Sequence, residues 1–366
     1  MKFNELKSVG PSLNLEFGEE TDIDIQSIST PVRPKENTFV FIKNQKFLNR
    51  FLEGEGCRAL GAVLTKKLYE SLEGEQLSDL KKSLQWLATV ENVEEAMCAF
   101  SKPFYDQKFG SLNLHVDGRQ MGTADVHPSA EIAQNVFIGE GVVIGSNVTI
   151  MPGCVIMPNC EIGEGTILFP NVSIYPFSKV GQGCRIHSNT TIGADGFGYN
   201  FLGGEHKKVW HFGGVEIRDN VEIGSNSAVD AGAFSPTFID NGTKIDNFCQ
   251  VAHNSRIGKD VIICGRAGVA GSVTLEDYVV LGAGAGCAPG AHLKTGTQVA
   301  AMGIVSENAV WGPKATLGGH PARPLKEWLR TQAKINILTK KKEVDYANGQ
   351  KTGRRIFTAS RSFSIY

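Results

Sequence analysis

The 366-residue sequence lacks several features that would each indicate a particular class of protein. Its eight cysteines include no C-x-x-C pair, so we interpret them as reduced thiols of a cytoplasmic protein and not as a zinc site or a disulfide frame. The amino terminus has no apolar signal-like segment, and no apolar run is long enough for a transmembrane segment. A net charge of −1 gives no global reason to expect a nucleic-acid partner.

What the sequence does contain is a six-residue aliphatic repeat. An aliphatic residue occupies every sixth position from Val126 to Ile192, and the rhythm returns from Ile217 to Val229 and from Ile239 to Val305, with Cys287 once taking the aliphatic place. A period of six is typical of a chain wound into a prism whose short flat faces each point one residue inward. The sequence therefore predicts a mainly β fold, a parallel β-helix of hexapeptide repeats with about nine coils, on the order of 40 Å long.

The corners and the interruptions of this repeat have separate predicted roles. Glycine often follows the inward residue, as at Gly139, Gly145 and Gly163, and we expect these glycines to turn the corners. The two interruptions, Gly193 to Glu216 and Asp230 to Phe238, are predicted to be insertions that leave the prism and carry binding functions.

The remaining segments do not share the repeat. Residues 1–100 alternate strand-like stretches (38–42 and 59–64) with a helix-like stretch (77–87), which indicates a small α/β domain. Residues 101–125 are predicted to be a linker, and 126–320 the β-helix domain. A C-terminal helical segment is predicted over 321–345, with Pro324 in its first turn, and a disordered tail over 346–366.

The most informative segment for chemistry runs from Lys244 to Asn254. His253 comes two residues after the inward Val251, near a corner where its ring can leave the prism. Asp246 lies one face earlier, so its carboxylate is a candidate to orient the imidazole of a general base. The alternative is a corner histidine without a catalytic role.

Two further segments are weaker candidates. Gly193 to Tyr199 holds three glycines and two aromatic residues, so its backbone can approach a ligand closely, or it is simply a flexible turn. The segment from Phe39 to Phe47 has a pattern typical of an ordinary strand and turn. The histidines of the array, including His187 and His292, show no paired spacing, so we predict no metal site.

Taken together, these segments resemble the UDP-3-O-(3-hydroxyacyl)glucosamine N-acyltransferases of lipid A biosynthesis. The resemblance covers most of the chain, and its specific elements occur in a fixed order. These elements are 192–199 (IGADGFGY), 245–247 (IDN) with 250–254 (QVAHN), 270–272 (AGS), and 319–322 (GHPA) leading into Trp328.

The resemblance implies a left-handed β-helix that assembles as a homotrimer, with each active site between two copies and no metal or organic cofactor. It implies transfer of a 3-hydroxyacyl chain from acyl carrier protein to the 2-amine of UDP-3-O-acylglucosamine. His253 is then the general base, Asp246 orients it, and the backbone N–H of Gly271 stabilises the oxyanion. The implied substrate-binding residues are Phe41, Asn44 and Phe47 for uracil, together with Asp195, Phe197, Tyr199, Asn247 and Gln250.

One departure from the family pattern leaves alternatives open. Where the family has I-D-R-G, this chain reads Val229-Asp230-Ala231-Gly232, so the usual arginine is replaced by Ala231. The alternatives are a related hexapeptide O-acyltransferase acting on UDP-N-acetylglucosamine, a coenzyme A-dependent sugar-nucleotide N-acetyltransferase, or a catalytically silent scaffold.

Overall fold

The computed structural model describes residues 1–18, 24–53, 59–318 and 330–338. The chain divides into two compact units, residues 1–318 and residues 319–366. In the second unit residues 330–338 are helical, within the segment predicted as the C-terminal helix. The predicted start of that helix at Pro324, the 319–322 motif, Trp328 and the predicted tail over 346–366 lie outside the described residues.

The first 121 residues of the chain supply the helices of the first unit. These are α1 (Phe3–Ser8), α2 (Gln45–Leu52), α3 (Lys66–Glu70), α4 (Gly74–Ser83), α5 (Val93–Phe109) and α6 (Gly118–Met121). The helix-like stretch expected over 77–87 is therefore wrong in its second half, because Leu84 already has an extended backbone and ends α4. The linker predicted over 101–125 begins inside α5 and includes α6.

A five-stranded sheet lies between α1 and α5 on one face and α2, α3 and α4 on the other, as the α/β prediction required. Its strands are β1 (Asn14–Phe17), β2 (Ser27–Ser29), β3 (Thr38–Ile42), β4 (Gly61–Thr65) and β5 (Trp86–Val90), in the spatial order β1-β5-β4-β3-β2. Only the edge strand β1 runs antiparallel to its neighbour. Apolar side chains cover both faces of β3, which explains why this strand lacks the alternation of a half-exposed strand.

The repeat region forms short strands, most of them two residues long. Before the first insertion they are β6 (Asp125–Val126), β7 (Glu131–Ile132), β8 (Phe137–Ile138), β9 (Val143–Ile144), β10 (Thr149–Ile150), β11 (Val155–Ile156), β12 (Glu161–Ile162), β13 (Ile167–Leu168), β14 (Ser173–Ile174), β15 (Lys179–Val180), β16 (Arg185–Ile186) and β17 (Thr191–Asp195). The insertion holds the hairpin β18 (Tyr199–Leu202) and β19 (Glu205–Lys208).

After the first insertion the strands continue to residue 317. They are β20 (Val215–Ile217), β21 (Glu222–Ile223), β22 (Ala228–Ala231), β23 (Thr237–Ile239), β24 (Lys244–Ile245), β25 (Gln250–Val251), β26 (Arg256–Ile257), β27 (Ile262–Ile263), β28 (Gly268–Val269), β29 (Thr274–Leu275), β30 (Val280–Leu281), β31 (Gly286–Cys287), β32 (His292–Leu293), β33 (Gln298–Val299), β34 (Ile304–Val305), β35 (Val310–Trp311) and β36 (Thr316–Leu317).

These strands stack into three parallel sheets, which are the faces of the prism. The first face runs from β6 to β35 with ten strands, the second from β7 to β36 with ten, and the third from β8 to β34 with nine. Outside the insertions, each strand pairs with the strand three further along, as Ile150 does with Leu168. The predicted fold class is confirmed, and it agrees with the left-handed helix that the resemblance implies. The array also extends two strands beyond Val305. The predicted repeat does not include β35 and β36, because neither strand has a buried aliphatic residue.

The inward aliphatic residues form one continuous core along the prism. The inward residues of this core, such as Ile192, Val251 and Ile263, are almost completely buried. Cys154, Cys160, Cys184, Cys249 and Cys287 fill the same core as free thiols, while Cys57 lies outside the described residues. The repeat thus places one side-chain layer directly over the next, and this stacking holds the coils together.

The corners turn differently from what the sequence suggested. The left-handed backbone falls three residues after the inward residue, at Gly141 and Asn147, and not at the glycine that follows it directly. Gly163 is required for another reason, since a Cβ there would lie 2.5 Å from the backbone carbon of Gly181 on the next coil. These glycines permit close approach of neighbouring coils.

An aromatic cluster joins the N-terminal domain to the two insertions. We call Phe41, Phe100, Phe104, Phe212 and Phe234 the interdomain aromatic cluster. The ring of Phe234, from the second insertion, lies 6.0 Å from Phe41 and 5.4 Å from Phe212, centroid to centroid. The two insertions are thereby packed against the sheet domain instead of extending freely into solvent.

Two neighbouring isoleucines on β27 test the role of the inward layer. Ile263 is completely buried, whereas the side chain of Ile262 faces outward and is 44% exposed. We expect Ile263→Ala to lower the free energy of unfolding by about 2–5 kcal/mol, since it removes core contacts and leaves a cavity. Ile262→Ala is the matched control and should change it by about 0.5 kcal/mol or less. Denaturant unfolding measures both, and equal effects would contradict the inward assignment.

Candidate functional site

His253 lies at the corner between the third and first faces, directly after β25. Asn254 turns this corner with φ +60°, and its backbone N–H donates to the Thr237 hydroxyl at 3.0 Å. The imidazole is half-buried, and burial lowers its pKa below the usual value. A histidine in this setting is neutral at physiological pH, which is the protonation state that a general base needs.

Two glycines enclose the His253 ring. A Cβ on Gly271, one coil further on, would lie 2.7 Å from both Nε2 and Cε1 of the ring. A Cβ on Gly196, from the first insertion, would lie 2.5 Å from the His253 Cβ. The backbone N–H of Gly271 has no hydrogen-bond partner among the described residues. The structure therefore brings the predicted base and the predicted oxyanion donor together.

The ring of His253 has one hydrogen-bonding neighbour in the part of the chain that the structure describes, and the sequence did not single it out. Nδ2 of Asn254 lies 2.9 Å from Nδ1 of His253. Oδ1 of the same amide accepts a hydrogen bond from the Ala233 N–H at 2.8 Å. The second insertion thus reaches the histidine through Asn254.

A second histidine, His211, also lies beside His253 and was missed by sequence reasoning. Its ring centroid is 5.1 Å from that of His253, and it is only 1% exposed. Nδ1 of His211 donates to the Val209 carbonyl at 2.9 Å, whereas Nε2 has no hydrogen-bond partner among the described atoms. Burial, reinforced by His253, lowers the pKa of His211 to about 4. The aromatic and glycine residues around it, Trp210 to Gly214, were the available signal.

The structure does not bring Asp246 to His253 within one chain, so their pairing stays a prediction that requires a second copy. The Asp246 carboxylate accepts hydrogen bonds from the backbone N–H groups of Gly265 at 2.9 Å and Asn247 at 2.7 Å. Asn247 also donates to it from its side chain. The physical reason is the repeat itself: Asp246 follows β24 and His253 follows β25, so they occupy consecutive corners that the third face separates.

Carboxylates do lie near the coil that carries His253. Asp195 forms an ion pair with Lys208 of the hairpin. Burial raises the pKa of Asp230 to about 6, the Gln250 side chain acts against this shift by lowering the pKa, and the Asp195 charge acts in the same direction as burial. The predicted residues Asp195 and Gln250 therefore belong to one polar cluster on the third face, which Asp230 and Lys208 complete.

The loop between Gly193 and Tyr199 covers this cluster. Gly198 has no room for a Cβ, which would lie 2.5 Å from Cε1 of His211. Phe197 at the tip is 71% exposed, and its ring lies 5.0 Å from that of Tyr199. The predicted loop residues thus combine glycine backbone packed on the two imidazoles with an aromatic wall open to solvent.

The three predicted uracil-contacting residues have separate environments. Phe41 is 5% exposed and belongs to the interdomain aromatic cluster, so its predicted contact with a ligand is wrong for this arrangement. The reason is that β3 lies between β4 and β2 in the sheet and the Phe41 ring stacks on Phe100 of α5. Asn44 is exposed and caps α2 by accepting from the Phe47 N–H at 3.2 Å, while Phe47 is half-buried. The adjacent Lys46 donates to Asn308 at 2.7 Å, so α2 contacts the later coils.

Metal-binding clusters and membrane-spanning helices are both absent from the described residues. Within them, no group of three or more His, Cys, Asp or Glu side chains is placed to hold a metal ion. Across the same ranges, no helix combines the length and the apolar character needed to cross a bilayer.

The fold defines the class: the chain is a parallel β-helix of hexapeptide repeats. The matching relatives include two that are named UDP-3-O-acylglucosamine N-acyltransferase. The one from Methylobacterium sp. (strain 4-46) is 42% identical over 42% of this chain and 43% of the relative. The one from Helicobacter hepaticus is 41% identical over 42% of this chain and 47% of the relative. The resemblance drawn from the sequence is thus confirmed, but the matches cover less than half of this chain and not most of it, which is the extent that the motifs predicted. The matches span less than half the length of these relatives.

Other comparisons concern the repeat region or the solved structures. A family described as the GMPPB C-terminal domain matches residues 120–195. A UDP-N-acetylglucosamine acyltransferase from Campylobacter jejuni shares 22% identity at a TM-score of 0.37, over 50% of this chain and 68% of that one. One from Francisella novicida shares 24% at a TM-score of 0.35, over 50% and 61%.

Two glycines near the site provide a matched test of its packing. Gly271→Ala places a Cβ against the His253 ring and should displace the imidazole, whereas Gly268→Ala has open space and should not. Crystal structures of both variants, or histidine NMR spectra, would show the ring position. An unmoved His253 in the Gly271 variant would contradict the close packing described above.

Proposed function

We propose that this protein transfers a 3-hydroxyacyl chain from acyl carrier protein to the 2-amine of UDP-3-O-acylglucosamine. The observation that carries the proposal is the neutral, half-buried His253 packed against Gly271 at a corner of the β-helix. The names of the relatives at 40–42% identity support the same reaction and substrate.

The chemistry requires one proton acceptor and one oxyanion donor. The amine attacks the thioester carbonyl, a C–N bond forms, and the thiol of the carrier leaves. His253 takes the proton that the amine loses, because a neutral imidazole is a competent base near pH 7. The N–H of Gly271 donates to the developing oxyanion, which is the role that a donor without another partner can fill.

Asp246 acts on His253 of a neighbouring copy in this proposal. The third face connects the corner of Asp246 to the corner of His253, and its outward positions beside Gln250 are the small residues Ala228 and Gly268. In a homotrimer with this face toward the threefold axis, unlike corners of adjacent copies meet. Each site is then formed by two copies and is incomplete in one chain.

The substrate positions follow from the same arrangement. Asp195, Phe197 and Tyr199 flank or belong to the loop that packs on His253 through Gly196, and Gln250 lies on the strand before His253. We assign these four residues to the sugar and the acyl chain. Asn247 approaches with Asp246 from the neighbouring copy.

The uridine is assigned to the N-terminal domain through Asn44 and Phe47, without Phe41. Both residues lie at the start of α2, beside the contact between Lys46 and Asn308. We place the reaction in the cytoplasm, in agreement with the free thiols of the described cysteines.

Activity of the wild-type protein and of two histidine variants tests the reaction. We expect His253→Ala to lower the rate by about 100-fold or more, because it removes the base. His292→Ala is the control, since His292 pairs with Glu276 on the first face and lies outside the site. An inactive wild type would favour a silent scaffold, and activity with UDP-N-acetylglucosamine instead would favour the related O-acyltransferase.

The pH dependence follows from the direction of the pKa shift of His253. The neutral imidazole is the active form, so kcat/KM should fall as the pH decreases through the pKa of His253. Because burial lowers that pKa, the fall should occur below the ordinary histidine value of 6.5. A midpoint above that value in the pH profile would contradict the assignment.

Mixed trimers test the contribution of Asp246. Asp246→Ala and His253→Ala should each be inactive alone, but unfolding and reassembling them together creates sites with His253 from one variant and Asp246 from the other. Random mixing should restore about one quarter of the sites, since each requires the correct variant on both sides. No recovery, with mixed wild-type and variant chains shown to reassemble, would contradict a site shared between Asp246 and His253 of two copies.

A further inference from the structure

We propose that Asn254 is a positioning residue that decides which nitrogen of His253 carries the ring proton. In this structure its amide keeps that proton on Nε2, so His253 presents a hydrogen-bond donor, and His253 accepts a proton at Nε2 only after the amide turns over. This inference rests on the proposed function for its consequence in catalysis, but its structural part does not.

The orientation of the Asn254 amide is fixed by a backbone donor. The N–H of Ala233 can only donate, so the atom 2.8 Å from it must be the amide oxygen. With the oxygen there, the NH2 group is the part that faces Nδ1 of His253 at 2.9 Å. The reversed amide would bring its NH2 against the Ala233 N–H, two donors facing one another.

The tautomer of His253 follows from this orientation. An NH2 group has no acceptor, so Nδ1 of His253 must be the unprotonated nitrogen that accepts. In a neutral imidazole the proton then resides on Nε2, the nitrogen beside Gly271. A base acting through Nε2 needs the opposite tautomer, with the proton on Nδ1.

The other groups of the same copy around the ring do not impose that opposite tautomer. His211, from the first insertion, contacts the ring but directs its own N–H to Val209. Asp195 and Lys208 form an ion pair with each other, and neither Asp195 nor Asp230 shifts the pKa of His253, whose shift comes from burial. Gly196 and Gly271 contribute no side chain. Asn254 is thus the described side chain that bonds to the ring.

The consequence for the reaction is a switch between two states of the base. When the amide turns over, Oδ1 faces His253 and accepts from Nδ1–H, and the ring proton moves from Nε2 to Nδ1 through water without net gain or loss. The turn breaks the bond to Ala233, which belongs to the second insertion. The second insertion therefore controls the form of His253 through one hydrogen bond.

The tautomer can be measured without any substrate. The full-length protein with 15N-labelled histidine would be studied above pH 8, with His253 assigned by its loss in His253→Gln. We expect the wild type to show the Nε2–H form. Asn254→Asp should show the Nδ1–H form and a raised His253 pKa, because a carboxylate accepts from both Ala233 and Nδ1–H and stabilises the imidazolium.

Two variants keep the outcome interpretable. Asn254→Gly tolerates the φ of +60° and should leave a mixture of both tautomers, since no side chain then biases the ring. Asn171→Asp, an exposed corner asparagine with φ +61°, adds a carboxylate elsewhere and should not change His253.

A wild type in the Nδ1–H form, or a tautomer unchanged in Asn254→Asp, would overturn the inference. If the enzyme is active, the acidic limb of the kcat/KM profile should move to higher pH in Asn254→Asp but not in Asn171→Asp, and an unmoved limb would contradict the catalytic part. Absence of acyl transfer in the wild type would refute the proposed function and leave the tautomer result standing.

Discussion

The stacking of one inward aliphatic residue on the next is the interaction on which the rest of this structure depends. Each coil repeats the register of the coil before it, so a residue at a given place in the repeat lies above its equivalent one coil away. This fixed spacing is why Gly271 lies against His253, and why a Cβ at Gly163 would strike the next coil. The prism therefore works as a rigid frame on which side chains of distant sequence positions have defined neighbours.

The insertions convert this regular frame into a site. The first supplies the loop with Gly196 and Gly198, which packs on two imidazoles, and the second supplies the N–H of Ala233 that orients Asn254. Both are anchored through the interdomain aromatic cluster to the N-terminal sheet. The sheet domain thus has a structural role at the site, since its aromatic residues help to fix the loops that contact His253.

Sequence reasoning reached the fold and the main residues of the site because both follow from local periodicity and motif order. It placed His253 at a corner, and the structure adds Gly271 beside it. The pairing of Asp246 with His253 stays a prediction, because within one chain the two residues occupy consecutive corners of the prism, and only a second copy could bring them together. Sequence reasoning failed for Phe41 because burial of that ring depends on Phe234, almost 200 residues away. His211 was missed because its role depends on how an irregular loop folds back.

By itself, the sequence determined the repeat, the inward layer, the positions of the two interruptions and the presence of a separate α/β domain. These properties follow from spacing between near neighbours, which a six-residue period records directly. Only the tertiary structure decided which groups contact the imidazole of His253 and how the Asn254 amide is oriented. Those contacts join a corner of one coil to loops that leave the repeat. The contacts of such loops cannot be predicted from periodicity, because their backbone is irregular.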